Sequence, residues 1–305
     1  MLLVTGATGY LGTVLVTLLR DRGLEPRAVI RDRSRASALP ARVPWAVADL
    51  ADETALRRAA EVCEGVFHLA ASVGHDAGET RRLNVEGTAN VLAAAHAAGV
   101  RRLVLTSTSA AIIDSTGLVA ETAAGRPALI DPYSLTKAEA ERRALAEAGS
   151  GLDVLAVNPV NIYGPSPAGP ASYNGLFAAA AAGKIKAVVD ARVGWVLAED
   201  VAAGHLLAYQ RGEAGRRYVL CGEVAPFGAV LHRYAELVGS PHRVRLLPPG
   251  SELGADAPTF ARRSEVYGKL GPVRVQDRQA RALGFYPRGV EDGLRLTATW
   301  LTDRR

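Results

Sequence analysis

Thr5-Gly6-Ala7-Thr8-Gly9-Tyr10-Leu11-Gly12 constrains the fold of this chain more than any other stretch. Leu2-Leu3-Val4 stands directly before it, a short apolar run that reads as a buried strand. After it, Thr13 to Arg22 carries Val14, Leu15, Leu18 and Leu19 at helical spacing, so a helix follows. Gly6 permits the tight turn, Gly9 lets backbone approach a pyrophosphate, and Gly12 lets the helix pack close to the sheet. The helix N-terminus adds free N–H groups and the positive end of a dipole. An ordinary strand–turn–helix does not need three glycines at these spacings. Strand, turn and helix together point to a dinucleotide site.

The 305 residues, 49% of them hydrophobic, allow one large α/β unit or two lobes with a sizeable core. No run approaches the ~20 apolar residues of a membrane span. The opening apolar stretch is too short for a secretory signal and has no basic region before it, so the cytoplasm is the expected compartment. Cys63 and Cys221 are too few and too scattered for a disulfide framework or a zinc site, and no metal is expected. The net charge of +5 comes mostly from arginine, with one local cluster at Arg27, Arg31, Arg33 and Arg35. No nucleic-acid motif accompanies the charge, so it reads as a solvated surface rather than a nucleic-acid face.

Strand and helix patterns alternate through the first half, which predicts a parallel sheet with helices on both faces. Strands are expected at Arg27–Ile30, Trp45–Ala48, Gly65–Ala71, Leu103–Thr106 and Val154–Val157. Helices are expected at Asp52–Ala60, Asn84–Ala98 (stopped by Gly99) and Pro132–Ala148 (closed by Gly149). After Asn158 the texture changes, with Pro159, Pro165, Pro167 and Pro170 breaking the chain into loops. Helices follow at Leu176–Ala182, at Asp200–Tyr209 with Asp200 as its cap, and at Val290–Thr302. Strands are expected at Val193–Leu197 and Arg217–Leu220. Residues 1–160 therefore read as the dinucleotide domain, with 190–222 returning to its sheet. Residues 161–189 and 223–305 form a smaller lobe.

Tyr133-Ser134-Leu135-Thr136-Lys137 places a phenol and an ammonium four residues apart, on one face of a helix. A phenol of pKa ~10 is a poor base at neutral pH, and a nearby ammonium lowers that value. The pair suits general acid–base chemistry. Alone, Tyr-x-x-x-Lys is common and reads as two surface residues. Here it follows a strand whose C-terminal end carries Ser107, Thr108 and Ser109, and catalytic groups of such sheets gather at those ends.

With these residues in view, the chain resembles the extended short-chain dehydrogenases/reductases of the NAD-dependent epimerase/dehydratase and dihydroflavonol-reductase-like kind. The resemblance runs through Thr5 to Gly12, Asp49-Leu50, His68 to Ala71, Asn84 to Thr88, Thr106 to Thr108 and Tyr133 to Lys137. It continues through Asn158 to Pro165, Asp200 to Ala202 and Ala282 to Phe285. It implies a Rossmann-type doubly wound α/β fold with a smaller C-terminal substrate lobe. It also implies an NAD(P)-dependent oxidoreductase acting on a small-molecule carbonyl or alcohol.

The roles it implies fall on Tyr133 as acid/base, on Lys137 for the nicotinamide ribose and the phenol pKa, and on Thr108 as the hydroxyl partner. Ser107 and Ser109 are its rivals. For the cofactor it implies Gly6, Thr8, Gly9, Tyr10, Leu11 and Gly12 at the pyrophosphate, with Asp49 and Leu50 bordering the adenine. Leu69, Ala70, Ala71 and Thr106 would line the cofactor, and Pro159, Val160 and Ile162 would hold its nicotinamide end. Asn84 matches the family's central-helix asparagine and equally well a helix start. The helices Asn84–Ala98 and Pro132–Ala148 resemble those that pair into a four-helix interface, pointing to a homodimer.

Cofactor choice turns on the end of the second strand, where an acid reads the ribose hydroxyls of NAD and an arginine accommodates a 2′-phosphate. Ile30 occupies the acid position and Arg31 follows, so NADP(H) is favoured over NAD(H). Asp32 is the complication. The substrate side carries less information. His75, Asn161, Tyr163, Tyr173 and Asn174 are loop residues able to hydrogen-bond a substrate, and equally ordinary loop residues. Arg192, Arg216 and Arg262 are the available arginines for a diphosphate. The stretch Trp195 to Asp200 departs from the family by lacking an extra acid near Leu197. Two other functions stay open: a nucleotide-sugar epimerase or dehydratase with tightly held cofactor, and a non-catalytic NADP(H)-sensing protein. An intact Thr108/Tyr133/Lys137 set argues against the sensor.

Overall fold

The computed structural model describes residues 1–74, 76–124, 126–254 and 256–304, setting aside the side chains of Thr259 and Phe260. The first half alternates strand and helix as its periodicity requires. β1 (Leu2–Thr5), α1 (Tyr10–Asp21), β2 (Pro26–Ile30), β3 (Trp45–Val47), α2 (Glu53–Ala60) and β4 (Gly65–His68) open the chain. α3 (Ala77–Arg81) runs through a π-helical turn, Arg82–Glu86, into α4 (Gly87–Ala97). Then come β5 (Arg102–Thr106), a short β6 (Leu118–Ala120), α5 (Pro132–Ala146) and β7 (Asp153–Pro159).

The second half supplies β8 (Asn161–Tyr163), α6 (Asn174–Ala181), β9 (Ala187–Val189), β10 (Arg192–Leu197) and α7 (Ala198–Arg211). It goes on through β11 (Arg217–Leu220), β12 (Glu223–Pro226), α8 (Phe227–Leu237), β13 (Arg245–Leu247) and α9 (Thr259–Gly268). β14 (Arg274–Gln276), α10 (Arg278–Ala282) and α11 (Val290–Thr302) complete it.

Seven strands form the main sheet in the order β11-β7-β5-β4-β1-β2-β3, and every pairing is parallel. Alternation along the strands splits the apolar side chains between two faces. Leu3, Val66, Leu103, Leu105 and Val154 pack beneath α2 and α4. Leu2, Val4, Phe67, Val104 and Leu155 pack on the other side with Leu15 and Leu19 of α1 and Val201 of α7. Burial on both faces explains why these strands read as near-continuous apolar runs.

Three expectations need correction. Of the 190–222 segment expected back in the main sheet, only β11 returns. β10 lies between β12 and β8 in a separate three-stranded sheet. Its apolar pattern demands burial but does not say in which sheet, and the aromatic core of the small lobe supplies that burial. There Trp195 contacts Tyr173, Phe227 and Phe177 at 5.3, 5.3 and 5.8 Å between ring centroids. Asp200 does not cap its helix. It lies inside the first turn of α7 and its carboxylate takes the backbone N–H and guanidinium of Arg288. Asn84 does not start a helix either, but sits within the π-helical turn.

One buried ion pair ties α5 to the far edge of the sheet. Glu141 is only 1% exposed. It accepts from Arg217 Nε on β11 and from Asn158 Nδ2 on β7, each at 2.7 Å. Arg217 also donates to the Ala123 carbonyl. Arg217→Met should strand the Glu141 charge and cost about 3–5 kcal/mol of stability. Urea unfolding checks this. The double change Glu141→Leu/Arg217→Met should be the more stable of the two, and a double variant no better than the single one would show that the stranded charge is not the cause.

Candidate active site

The glycine turn brings β1 and α1 together more closely than any other residue allows. Gly6 has φ +68°, and a Cβ there would lie 2.7 Å from the Ala70 amide nitrogen. A Cβ on Gly12 would lie 2.0 Å from the Gly6 carbonyl oxygen. Gly9 is exposed and caps α1 with extended backbone, leaving the first-turn amides of the helix open to an anion. Thr8 and Leu11 are half-buried beside it. Tyr10 is turned elsewhere: its hydroxyl donates to Gly164 O at 2.8 Å and accepts from Asn174 Nδ2 at 3.1 Å. Its side chain therefore tethers the small lobe to the turn.

Leu69, Ala70 and Ala71 run on from β4 beside the turn, and the Ala70 amide donates to Thr5 Oγ1 at 3.2 Å. At the adenine end, Asp49 holds its own loop by accepting from the Ala51 amide. The Leu50 carbonyl is held by Asn90 Nδ2 at 2.8 Å, and Gly87 lets α4 lie against the Leu50 side chain. Arg31 is exposed just beyond β2. Asp32 next to it accepts from Ser34 N at 3.0 Å and from Ser34 Oγ, capping a 3₁₀ turn over Arg33–Ala38. The Ser34 hydroxyl and then the local amides and Arg35 hold the Asp32 carboxyl below its usual range.

Tyr133, Lys137 and the strand-end hydroxyls come together at the C-terminal end of β5. Asp131 caps α5 by accepting from Ser134 N and Oγ, and Pro132 sits in its first turn. Thr108 hydrogen-bonds the Tyr133 phenol. Ser109 hydrogen-bonds Tyr267 instead, and Ser107 is buried with its hydroxyl unpartnered. Lys137 is buried, and its Nζ donates to Thr106 O at 2.7 Å. The Thr106 hydroxyl, expected against the cofactor, points to His205 Nε2 at 2.7 Å. Thr106 thus acts here through its carbonyl.

The electrostatics differ from the expectation of a lysine lowering the phenol pKa. Burial pushes the Tyr133 phenol up. The Thr108 hydrogen bond and then the Arg263 cation push it down, while Tyr267 and Asp131 push it up. The cation acting on the phenol therefore belongs to α9, far along the chain. Helical spacing puts Lys137 on the Tyr133 face, but its ammonium is drawn to the strand carbonyl, and its charge acts on His68.

Two buried histidines stiffen this region and hold no charge. Thr88 donates to Asn84 O at 2.6 Å, so its oxygen accepts from His68 Nε2 at 3.0 Å. His68 Nδ1 then accepts from Thr5 Oγ1 at 2.7 Å. Burial pushes His68 down to about 3 and His205 to about 4. Asn84 is buried and joins the Ser72 loop to α5 by bonds to Ser72 N at 2.7 Å, Ser72 O at 3.0 Å and Thr136 Oγ1 at 3.1 Å. A π-helical turn is a frequent device for aiming such a side chain.

The residues fit a dinucleotide. Besides the open helix end, the three unpartnered buried polar side-chain atoms among the described residues are Ser107 Oγ, Asn158 Oδ1 and Asn161 Nδ2. All three lie at the C-terminal ends of β5 and β7 or on β8, where a nicotinamide end would arrive. Pro159 and Val160 are buried there and Ile162 is half-buried.

Of the residues expected in substrate loops, Tyr163 lies on β8 in the aromatic core, and Asn174, which opens α6, is spent on Gly164, Ala171 and Tyr10. Tyr173 is buried and faces Arg263, and His75 lies outside the described residues. The arginines weighed for a diphosphate do not converge. Arg192 donates to Val224 O, Arg216 pairs with Glu213, and Arg262 donates to Gly254 O. Arg263 and Tyr267 were not legible locally; their only mark in the sequence is an i, i+4 spacing. A cavity of about 1020 Å³ opens on another face of α5, lined by Leu135, Thr136, Glu139 and Arg142, and does not include Tyr133 or Lys137.

Burial pushes the Lys137 ammonium from 10.5 down to about 8, opposed by the Glu141 carboxylate one turn along. The unfolded chain therefore binds more protons than the folded protein between these values, and this group's contribution to stability rises with pH across that window. The stability of wild type minus that of Lys137→Met should climb by up to about 3 kcal/mol over the window. Denaturant titrations of both proteins at stepped pH measure it. A flat difference would mean that Lys137 gives up no proton on burial.

Comparison with known proteins places this geometry in a family. Residues 2–221 match the model of the NAD dependent epimerase/dehydratase family. Sterol demethylase protein B of Methylococcus capsulatus is 33% identical, over 99% of this chain and 98% of that protein. A putative dihydroflavonol 4-reductase of Synechocystis is 35% identical, over 97% of this chain and 84% of that protein. Among solved structures, Thermus thermophilus UDP-glucose 4-epimerase in complex with NAD superposes with a TM-score of 0.78. It shows 27% identity, over 99% of this chain and 98% of that one. The chain belongs to the NAD-dependent epimerase/dehydratase family and is an NAD(P)-dependent oxidoreductase of the extended short-chain dehydrogenase/reductase type.

Proposed function

We propose that the protein reduces the carbonyl group of a small molecule, prefers NADP(H), and uses Tyr133, Thr108 and Lys137 as its reacting set. The observation that carries this reading is the hydrogen bond between Thr108 and a Tyr133 phenol kept protonated by burial. The bound nicotinamide supplies hydride. A neutral phenol is a proton donor, so Tyr133 gives its proton to the carbonyl oxygen as negative charge develops there. Thr108, whose oxygen also receives the Ala110 amide at 3.3 Å, supports the phenol and the substrate oxygen. Lys137 keeps one N–H on Thr106 O and has two more donors for the cofactor ribose. The glycine turn and the α1 amides hold the pyrophosphate. Leu69, Ala70 and Ala71 line the cofactor, and Pro159, Val160 and Ile162 flank the nicotinamide.

NADP(H) preference is supported by what Arg31 and Asp32 do. Arg31 is exposed at the strand end, and the rival Asp32 carboxylate is engaged on Ser34. Sugar-nucleotide chemistry, which the solved epimerase named above performs, asks for cations at a diphosphate. Arg192, Arg216 and Arg262 lie on three separate contacts, so no observation favours that reading.

Tyr133→Phe should lower turnover by ~10²–10⁴ with little change in cofactor affinity. Steady-state rates on any reduced carbonyl, with a parallel cofactor titration, check it. Retention of most of the turnover would remove Tyr133 from the role.

Wild type should bind NADP(H) more tightly than NAD(H). Arg31→Ala should lose about ten- to a hundredfold for NADP(H) alone. Dissociation constants of both cofactors, in both proteins, decide it. Equal or tighter NAD(H) binding by wild type would return the ribose to Asp32.

A further inference from the structure

The segment between β8 and α6, residues 164–173, takes its shape from contacts rather than from backbone pairing. It contains no helix or strand. Pro165, Pro167 and Pro170 remove three backbone donors from it. Ser172 is held at φ +57°, a left-handed conformation that a residue with a side chain keeps only where its surroundings impose it. At one end of the segment, Ser172 Oγ donates to Ile162 O at 2.7 Å, and Tyr173 packs on Trp195 at 5.3 Å between ring centroids. The other end is fastened to the glycine turn.

That fastening passes through Tyr10 by two arms. In the first, the Tyr10 hydroxyl donates to Gly164 O at 2.8 Å and accepts from Asn174 Nδ2 at 3.1 Å. In the second, the Tyr10 carbonyl accepts from Ser166 Oγ at 2.7 Å, and Ser166 Oγ also meets Thr13 Oγ1 at 3.1 Å. Ser166 and Asn174 are buried, and they in turn hold amides of the segment. Gly164 N donates to Asn174 Oδ1 at 2.8 Å, and Gly169 N donates to Ser166 O at 3.0 Å. Tyr10 itself precedes the first intrahelical bond of α1, from Thr13 N to Gly9 O, so its amide belongs to the open end of the helix. One residue therefore faces the phosphate site with its amide and the substrate-side segment with its carbonyl and hydroxyl.

We propose that Tyr10 is a positioning residue that passes occupancy of the glycine turn to residues 164–173, so that a bound dinucleotide orders the segment leading into the small lobe. The proposal rests on the reading that the turn holds the pyrophosphate. A phosphate on the first-turn amides fixes the Tyr10 backbone, and the groups bonded to its carbonyl and hydroxyl lose freedom with it. By reciprocity, a ligand that needs this segment ordered binds more tightly once the cofactor is in place.

Amide hydrogen exchange of the full chain, resolved by NMR, tests this. It is measured free and with saturating NADPH or NADH, whichever binds more tightly, and the reporters are the Gly164 and Gly169 amides. In wild type the cofactor should slow both by about fivefold or more. Tyr10→Phe removes the hydroxyl arm and should bring the free-to-bound ratio at Gly164 to near one. Ser166→Ala removes the carbonyl arm and should do the same at Gly169. Tyr286→Ser, an exposed control, should keep both ratios. A residue that only props the fold would speed exchange in both states and leave the ratios as they are in wild type.

A wild type that binds cofactor without slowing these amides overturns the proposal. So does a Tyr10→Phe protein that keeps the wild-type ratio at Gly164, since the cofactor would then shield the segment directly. If Tyr10→Phe does not fold, Ser166→Ala decides by the same criterion at Gly169. A wild type that binds neither cofactor overturns the dinucleotide reading, and the proposal with it.

Discussion

The approach of Gly12 to the Gly6 carbonyl is the contact from which the rest of the site is built. With a Cβ on Gly12 the helix would be pushed off the turn, since that atom would sit 2.0 Å from a backbone oxygen. With the contact made, α1 points its open amides along the C-terminal edge of the sheet. The turn then becomes an anchor for the second lobe. Ser166 donates to Tyr10 O at 2.7 Å, and Asn174 and Gly164 both bond the Tyr10 hydroxyl. A side chain that a motif assigns to the cofactor thus serves to join the lobes across the cleft.

The same edge shows how buried polar groups are arranged where chemistry needs a stable frame. Ala70 N–H, Thr5, His68, Thr88 and Asn84 O form one chain in which each donor meets an acceptor. Thr106 divides its two oxygens between Lys137 and His205. Both histidines are neutral across physiological pH, so they hold geometry without adding charge beside the lysine. Complete satisfaction matters here, because an unpaired polar group in a low-dielectric core is costly. The unpartnered atoms Ser107 Oγ, Asn158 Oδ1 and Asn161 Nδ2 stand out against that background, and they lie where a cofactor's amide would reach.

Much of this was readable from the chain because its determinants are local. The glycine spacing, the strand–helix alternation and the Tyr133/Lys137 helical step each concern residues within one or two turns of each other. Thr108 came from the family resemblance, with Ser107 and Ser109 as rivals, and the three hydroxyls take three different surroundings. What failed was nonlocal. The apolar pattern of β10 specified burial without specifying a sheet. Asp200 has the composition of a cap, yet a guanidinium from 88 residues along the chain claims its carboxylate. Residues read from the sequence as loop, such as Tyr163 on β8 and Asn174 at the start of α6, gave no sign of whether they faced solvent, substrate or core.

The charge environment of the phenol carries the same lesson one step further. Sequence spacing assigned its cation to Lys137, on the same helix. The fold instead places Arg263 of α9 where its charge acts on Tyr133, while Lys137 serves the strand end. The two cations are thereby separated by function. One is fixed on the β5 carbonyl and belongs to the dinucleotide domain. The other arrives from the lobe that is built around Trp195 and differs in texture from the sheet domain. The motifs cluster in the sheet domain and hardly extend into the lobe, which is why the sequence says more about the cofactor than about the substrate.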